Sequence, residues 1–159
     1  MSTPASLKVT VNGATSDTRV DARITLADFI RDVCGLVGTK ISCEHGVCGS
    51  CTVLVDDLPV RSCLMLAASA HGSSVRTVES LAAEELSDLQ CCFRDHHALQ
   101  CGFCTPGLLM TAQALLEASE EQTIDVREAV SAHICRCTGY EPIIAAIEAA
   151  VGHRRDPER

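Results

Sequence analysis

Eight of the eleven cysteines fall into two quartets with different spacing. The first is Cys43-x4-Cys48-x2-Cys51-x11-Cys63, and the second is Cys101-x2-Cys104-x30-Cys135-x-Cys137. Four thiolates are the ligand set of a 2Fe–2S cluster, and three close cysteines followed by a distant fourth is one of the spacings that holds one. Such sites carry single electrons. With no other dense constellation of reactive side chains, the chain reads as an electron conductor that has no catalytic residue of its own.

The first quartet lies in CEHGVCGSC, with Cys63 arriving from further along the chain. Gly46 and Gly49 supply the backbone angles that a loop wrapped round a cluster needs. They also leave amide groups free to face the sulfurs. C-x4-C and C-x2-C suit tetrahedral zinc as well, which is the competing reading. His45 sits inside the loop, but all four thiolates are already present, so it is expected to be an exposed loop residue. In the second quartet each cysteine pair runs into a Cys-Thr step and then a helix signal (Thr105-Pro106, Thr138-Gly139-Tyr140). The positive end of a helix dipole there is expected to favour thiolate. Spacing alone leaves zinc open for this second site.

A disulfide framework fits less well. The cysteine count is odd, the start MSTPASLKV has no signal-peptide pattern, and 159 residues exceed the usual size of disulfide scaffolds. The 47% hydrophobic and 21% charged composition is that of a folded globular chain. A net charge of −8 argues against nucleic acid as partner. The uncharged run Ala98–Leu116 holds two cysteines, two glycines and a proline, so it reads as a metal loop feeding a helix, and no membrane insertion is expected. Cys34, Cys91 and Cys92 belong to neither quartet and are read as small apolar residues. His96-His97 point in different directions on a helix and are read as packing or contact residues.

Two kinds of element must position the quartets. Up to residue 78 the pattern is strand-like: Leu7, Val9 and Val11 alternate, Asn12-Gly13 is a hairpin turn, and a second strand runs to Val20. Thr25-Leu-Ala-Asp28 resembles a capping box opening a helix with Leu26, Phe29, Ile30 and Val33 on one face. Thr52–Asp56 and Leu58–Ser62 form a second hairpin, followed by a short helix over Leu64–Ala70 and a strand near Val75–Val78. From Ser80 the apolar period turns helical. Helices are predicted over about Ala82–His96, Pro106–Ala118, Val126–Ala132 and Tyr140–Val151, with Glu120-Glu121-Gln122 as a polar connection. The fold class is α+β: an N-terminal β-grasp domain of the plant-type ferredoxin kind over 1–79, then an all-α four-helix domain over 80–159.

The strings CEHGVCGSCTVLVDDLPVRSCL, HHALQCGFCTPG and ICRCTGY resemble the small iron–sulfur subunit of the molybdenum hydroxylases. That family spans xanthine dehydrogenases, aldehyde oxidoreductases, aerobic carbon monoxide dehydrogenases and bacterial N-heterocycle hydroxylases. The resemblance runs from Leu7 to Val151. Glu44 and Ser50 stand where many members have Gly and Ala, and they leave the ligand positions untouched.

The resemblance implies two 2Fe–2S clusters, one on each quartet. It implies a large partner chain that hydroxylates the substrate at a molybdopterin centre, and a medium partner chain carrying FAD. Electrons would pass from the pterin to the Cys101, Cys104, Cys135 and Cys137 site, then to the Cys43, Cys48, Cys51 and Cys63 site, then to FAD. Gln100 matches a position that hydrogen-bonds the pterin, and Cys137 matches the ligand nearest to it. A cytoplasmic dimer of heterotrimers is implied. Two other readings are a free-standing ferredoxin, which leaves the helical half unexplained, and a zinc-stapled interaction module.

Overall fold

A computed structural model describes residues 4–82, 85–118 and 125–155. The polar connection 120–122 and the charged end of the tail lie outside them. The first half is a five-stranded mixed sheet in the order β2-β1-β5-β3-β4. Its strands are β1 (Pro4–Val11), β2 (Ala14–Asp21), β3 (Thr52–Val55), β4 (Leu58–Arg61) and β5 (Ser74–Arg76). Two-residue turns close both hairpins. Asn12-Gly13 and Asp56-Asp57 all have left-handed backbone, with φ of 49°, 83°, 48° and 67°. That is the geometry of a turn matched to strand twist, and Asn, Asp and Gly tolerate it best. The later strand, β5, pairs parallel to β1 and antiparallel to β3, joining the two hairpins into one sheet.

The inward residues of β1 are Leu7, Val9 and Val11, as their alternation predicts. They share a core with Leu26, Phe29, Ile30, Val53, Val55 and Val75. Thr25 caps helix α1 (Leu26–Asp28): its hydroxyl accepts from the Asp28 amide at 3.1 Å and donates to the Asp28 carboxylate at 2.6 Å. The helix then widens into a π turn over Phe29–Val33, closed by the Cys34 amide on the Phe29 carbonyl. This changes the register of the face. Leu26, Phe29 and Ile30 are buried, but Val33 is exposed, contrary to the helical pattern. The helix expected over Leu64–Ala70 is a single 3₁₀ turn at Ala67–Ala70, and the strand expected to reach Val78 stops at Arg76.

The second half consists of helices α2 (Asp88–Asp95), α3 (Thr105–Glu117), α4 (Val126–Ser131) and α5 (Glu141–Arg155) among the described residues. Helix α2 starts six residues later than predicted, because Ser87 and Gln90 form a reciprocal capping box. Asp125 caps α4 through the Glu128 amide at 2.9 Å. Leu89, Phe93, Leu108, Val130, Ile143 and Ile147 centre the second core. None of the described helices is long and apolar enough to cross a membrane.

The halves are packed together, not strung on a linker. Helix α3 lies on β3, whose four residues are all buried, as a strand covered on both faces must be. Arg76 donates to Glu117 of α3 at 2.8 Å and to Asp57 at 2.8 Å. The 3₁₀ turn Val78–Leu81 packs into the helical core, while Glu79 accepts from the Gly38 amide at 2.7 Å.

Candidate metal centres

The first loop is built tightly before any metal is considered. Gly46 and Gly49 have φ of 75° and 77°. Both angles disfavour a side chain. At Gly49 space excludes one as well, since a Cβ there would meet the buried His133 ring at Nδ1, 2.3 Å away, whereas at Gly46 it would meet only the movable tip of Leu64. Thr52 ties the loop to β3, its hydroxyl donating to the Gly49 carbonyl at 2.6 Å. Cys43 accepts from the amides of Cys48 at 3.3 Å and His45 at 3.4 Å. These amides, Cys48 first, hold the Cys43 thiol down to about 6. His45 contributes that amide while the residue itself is exposed, as expected. Cys63 faces Cys51 and is pushed up to about 11 by burial and by that neighbour. The structure thus brings all four cysteines of the first quartet together, with Cys43 beside Cys48 and Cys51 beside Cys63.

The second quartet also converges, across two loops, one before α3 and one between α4 and α5. The Sγ atoms of Cys101 and Cys137 lie 3.5 Å apart and both residues are exposed. Cys104 and Cys135 are buried and in hydrogen-bond contact. Cys104 is the N-cap of α3, where helix-dipole stabilisation of a thiolate was expected. Burial outweighs it: desolvation, then the Cys135 neighbour, push the Cys104 thiol up to about 12. Burial also works against a Cys135 thiolate, yet the Thr138 hydroxyl at 3.1 Å and nearby amides hold that thiol below its usual value. Gln100 is exposed beside the Cys101–Cys137 rim.

Among the described residues, no group of three or more His, Cys, Asp or Glu is set to hold a single metal ion. The thiols stand two by two instead. A binuclear cluster takes four thiolates in that arrangement, one pair to each iron, so the all-sulfur donor set and glycine-lined loop fit a 2Fe–2S group. Cys34, Cys91 and Cys92 stand outside both quartets, with Cys34 and Cys92 raised in pKa by burial. His96 and His97 are exposed.

Sequence reasoning missed two residues that lie between the quartets. Arg61 donates to the Gly46 carbonyl at 3.4 Å, to the Thr52 hydroxyl, and to the Ala132 carbonyl at 2.6 Å, so it straps the first loop to the end of α4. His133, 2% exposed, sits behind Gly49, with its Nε2 2.8 Å from the Thr111 hydroxyl and no partner for Nδ1. Burial, then the charge of Arg61, hold its pKa down to about 4, so the ring is neutral near pH 7. No local sequence pattern marks His133, because its burial behind Gly49 is set by the other half of the chain.

Comparison with known proteins shows the family. The family model of the 2Fe-2S iron-sulfur cluster binding domain matches residues 9–94, and that of the 2Fe-2S binding domain matches residues 77–148. The chain is 52% identical over 158 residues to the nicotine 6-hydroxylase small subunit of Paenarthrobacter nicotinovorans, covering 96% of each. It is 52% identical to the caffeine dehydrogenase subunit gamma of Pseudomonas sp. (strain CBB1), covering 89% of this chain and 88% of that one. A crystal structure of quinoline 2-oxidoreductase from Pseudomonas putida 86 contains a chain that superposes with a TM-score of 0.87 at 51% identity, covering 98% of this chain and 99% of that one. Two cysteine quartets on a sheet and a helical half, matched along nearly their whole length, place this chain in the family of small 2Fe–2S iron–sulfur subunits of the molybdenum hydroxylases.

Proposed function

We propose that this chain relays electrons between a molybdopterin centre on a large partner subunit and FAD on a medium partner subunit. Cys43, Cys48, Cys51 and Cys63 hold one 2Fe–2S cluster; Cys101, Cys104, Cys135 and Cys137 hold the other. The two-by-two gathering of thiols in each quartet carries this reading. When bound, each cluster supplies one-electron redox chemistry.

The chain's own residues set direction and insulation. The amides on Cys43 steady charge at the first site. The buried Cys104–Cys135 side of the second site looks inward, and its exposed Cys101–Cys137 side looks out. That rim, with Gln100, is turned toward the pterin of the large subunit. Exposed Leu99, Phe103 and Ile134 near it are apolar surface for the partner to cover. The sheet half is a β-grasp ferredoxin domain over 1–79, and the rest is a four-helix domain over 80–159. The whole is a dimer of heterotrimers in the cytoplasm. The nicotine, caffeine and quinoline enzymes among the relatives support an N-heteroaromatic substrate for the large subunit.

Purification through a tag on this chain tests the reading. Two further chains, molybdenum and FAD should accompany it, and the reduced complex should show two distinct 2Fe–2S signals by low-temperature EPR. N-heteroaromatics should reduce the clusters where simple aldehydes do not. A colourless chain with stoichiometric zinc and no iron would sink the proposal.

A further inference from the structure

The two quartets meet at one seam. The Ile134 amide donates to the carbonyl of Cys48 at 3.0 Å. Cys48 is a ligand position of the first site and Ile134 directly precedes Cys135 of the second. A bonded route with a single hydrogen bond therefore joins the sites: Cys48 Sγ through its own carbonyl, across to the Ile134 amide, and on to Cys135 Sγ.

The segment His133–Ile134–Cys135 is pinned at both ends. The Tyr140 hydroxyl accepts from the Cys135 amide at 2.9 Å and donates to the His133 carbonyl at 3.3 Å. The His133 ring braces the seam from behind. Its Nε2 is held by Thr111 of α3, the helix that Cys104 caps, and its other edge bears on Gly49, where even a methyl group would collide. Gly107 of α3 also comes so close that a Cβ there would meet the Gly49 carbonyl oxygen at 2.2 Å. Gly49 is thus in close contact with both a ring and a helix. The ring is 2% exposed and touches both the first loop and α3, so its bulk fixes how the two meet.

We propose that His133 is a positioning residue for electron passage between the two sites, a rigid strut that keeps the Ile134 amide on the Cys48 carbonyl. The inference rests on the reading that each quartet holds a 2Fe–2S cluster. With both clusters bound, one electron would cross from the reduced second site to the oxidised first, with no bond broken and no proton moved. What the strut sets is the separation and the hydrogen-bonded contact, not the chemistry at either end.

The test uses the intact complex, reduced with dithionite, and compares His133→Ala, His133→Phe and Gly107→Ala with the unaltered protein. Low-temperature EPR reads each cluster's own signal and the magnetic splitting between them; rapid freezing after partial reduction reads how fast the electron reaches the first site. His133→Ala should keep both signals while losing the splitting and slowing the transfer. His133→Phe, which fills similar space without a nitrogen, should restore both. Gly107→Ala leaves the ring intact and forces the seam apart, so it should reproduce the loss even if His133→Ala fails to assemble. Unchanged splitting and transfer in Gly107→Ala, or in an iron-loaded His133→Ala, overturns the proposal. An iron-loaded His133→Phe that behaves like His133→Ala also overturns it. A single cluster signal in the unaltered complex would instead overturn the cluster assignment.

Discussion

The two thiol quartets differ in how they meet solvent. In the first, each pair joins a buried cysteine to a half-buried one, Cys48 with Cys43 and Cys51 with Cys63. In the second the pairs are sorted: Cys104 and Cys135 are buried, Cys101 and Cys137 exposed. The first site is wrapped by one glycine loop that supplies amides to its sulfur. The second is assembled where separate loops converge, and one edge is left for something else to cover. The first site spreads its exposure over both pairs, whereas the second has an inside and an outside and so a direction. The proposed relay needs both kinds.

Ligand substitutions sharpen this comparison most. Cys104→Ser removes an inner thiol that is also part of the helical core and the cap of α3. It should cost at least about 3 kcal/mol, because metal loss and a core defect coincide. Cys101→Ser touches only the exposed edge and should leave the helices packed. Iron content should fall by half in both variants, with the first site's EPR signal intact. The thermal midpoint should separate them, and equal midpoints would break the distinction between inner and outer pairs.

Gly49→Ala comes next. A side chain there needs a left-handed backbone and collides with the His133 ring. Strain plus overpacking should cost about 2–4 kcal/mol. Chelator-driven iron release should accelerate at the first site before the second. Simultaneous release at unchanged rates would mean that the loop is not packed as described.

What was legible beforehand follows a physical divide. The quartets, the Asn12-Gly13 turn and the Thr25 and Asp125 caps are local patterns: a few adjacent residues determine them, and the structure places those caps as expected. The starts and ends that shifted are also local but subtler. Ser87 and Gln90 form a capping box that begins α2 late, and the π turn after Asp28 turns Val33 outward. Arg61 and His133 were not legible. Arg61 reaches a carbonyl 71 positions away, and His133 is defined by Gly49 in the other half of the chain. No local period encodes contacts between halves. Gly49, directly after Cys48, and Gly107, three residues after Cys104, are where the halves approach too closely for a side chain.

Arg61→Lys probes that seam more gently. Lysine keeps the charge but cannot fork to the Gly46, Thr52 and Ala132 oxygens together. The loss should be about 1 kcal/mol, the scale of one or two partly exposed hydrogen bonds. Amide hydrogen exchange should rise at the first loop and the end of α4 together. A rise confined to one half would show that Arg61 does not strap them.

The smallest effect lies far from the seam and appears only in acid. Asp56, in the left-handed turn between β3 and β4, accepts from the Ser74 amide at 2.8 Å. That amide, then the Ser73 side chain, hold its carboxyl below the usual range. A depressed folded pKa means that the carboxylate adds stability above the ordinary value of about 4 and loses it as pH falls through the lower folded value. Asp56→Asn keeps the turn, since Asn also tolerates this backbone. The variant should therefore melt slightly earlier than the native protein at neutral pH, and the two midpoints should converge in acid. The change belongs to the sheet half alone, so the release of second-site iron should not respond to it. If second-site iron release shifted with Asp56→Asn, the sheet turn and the helical site would be coupled by something other than the His133 and Arg61 contacts.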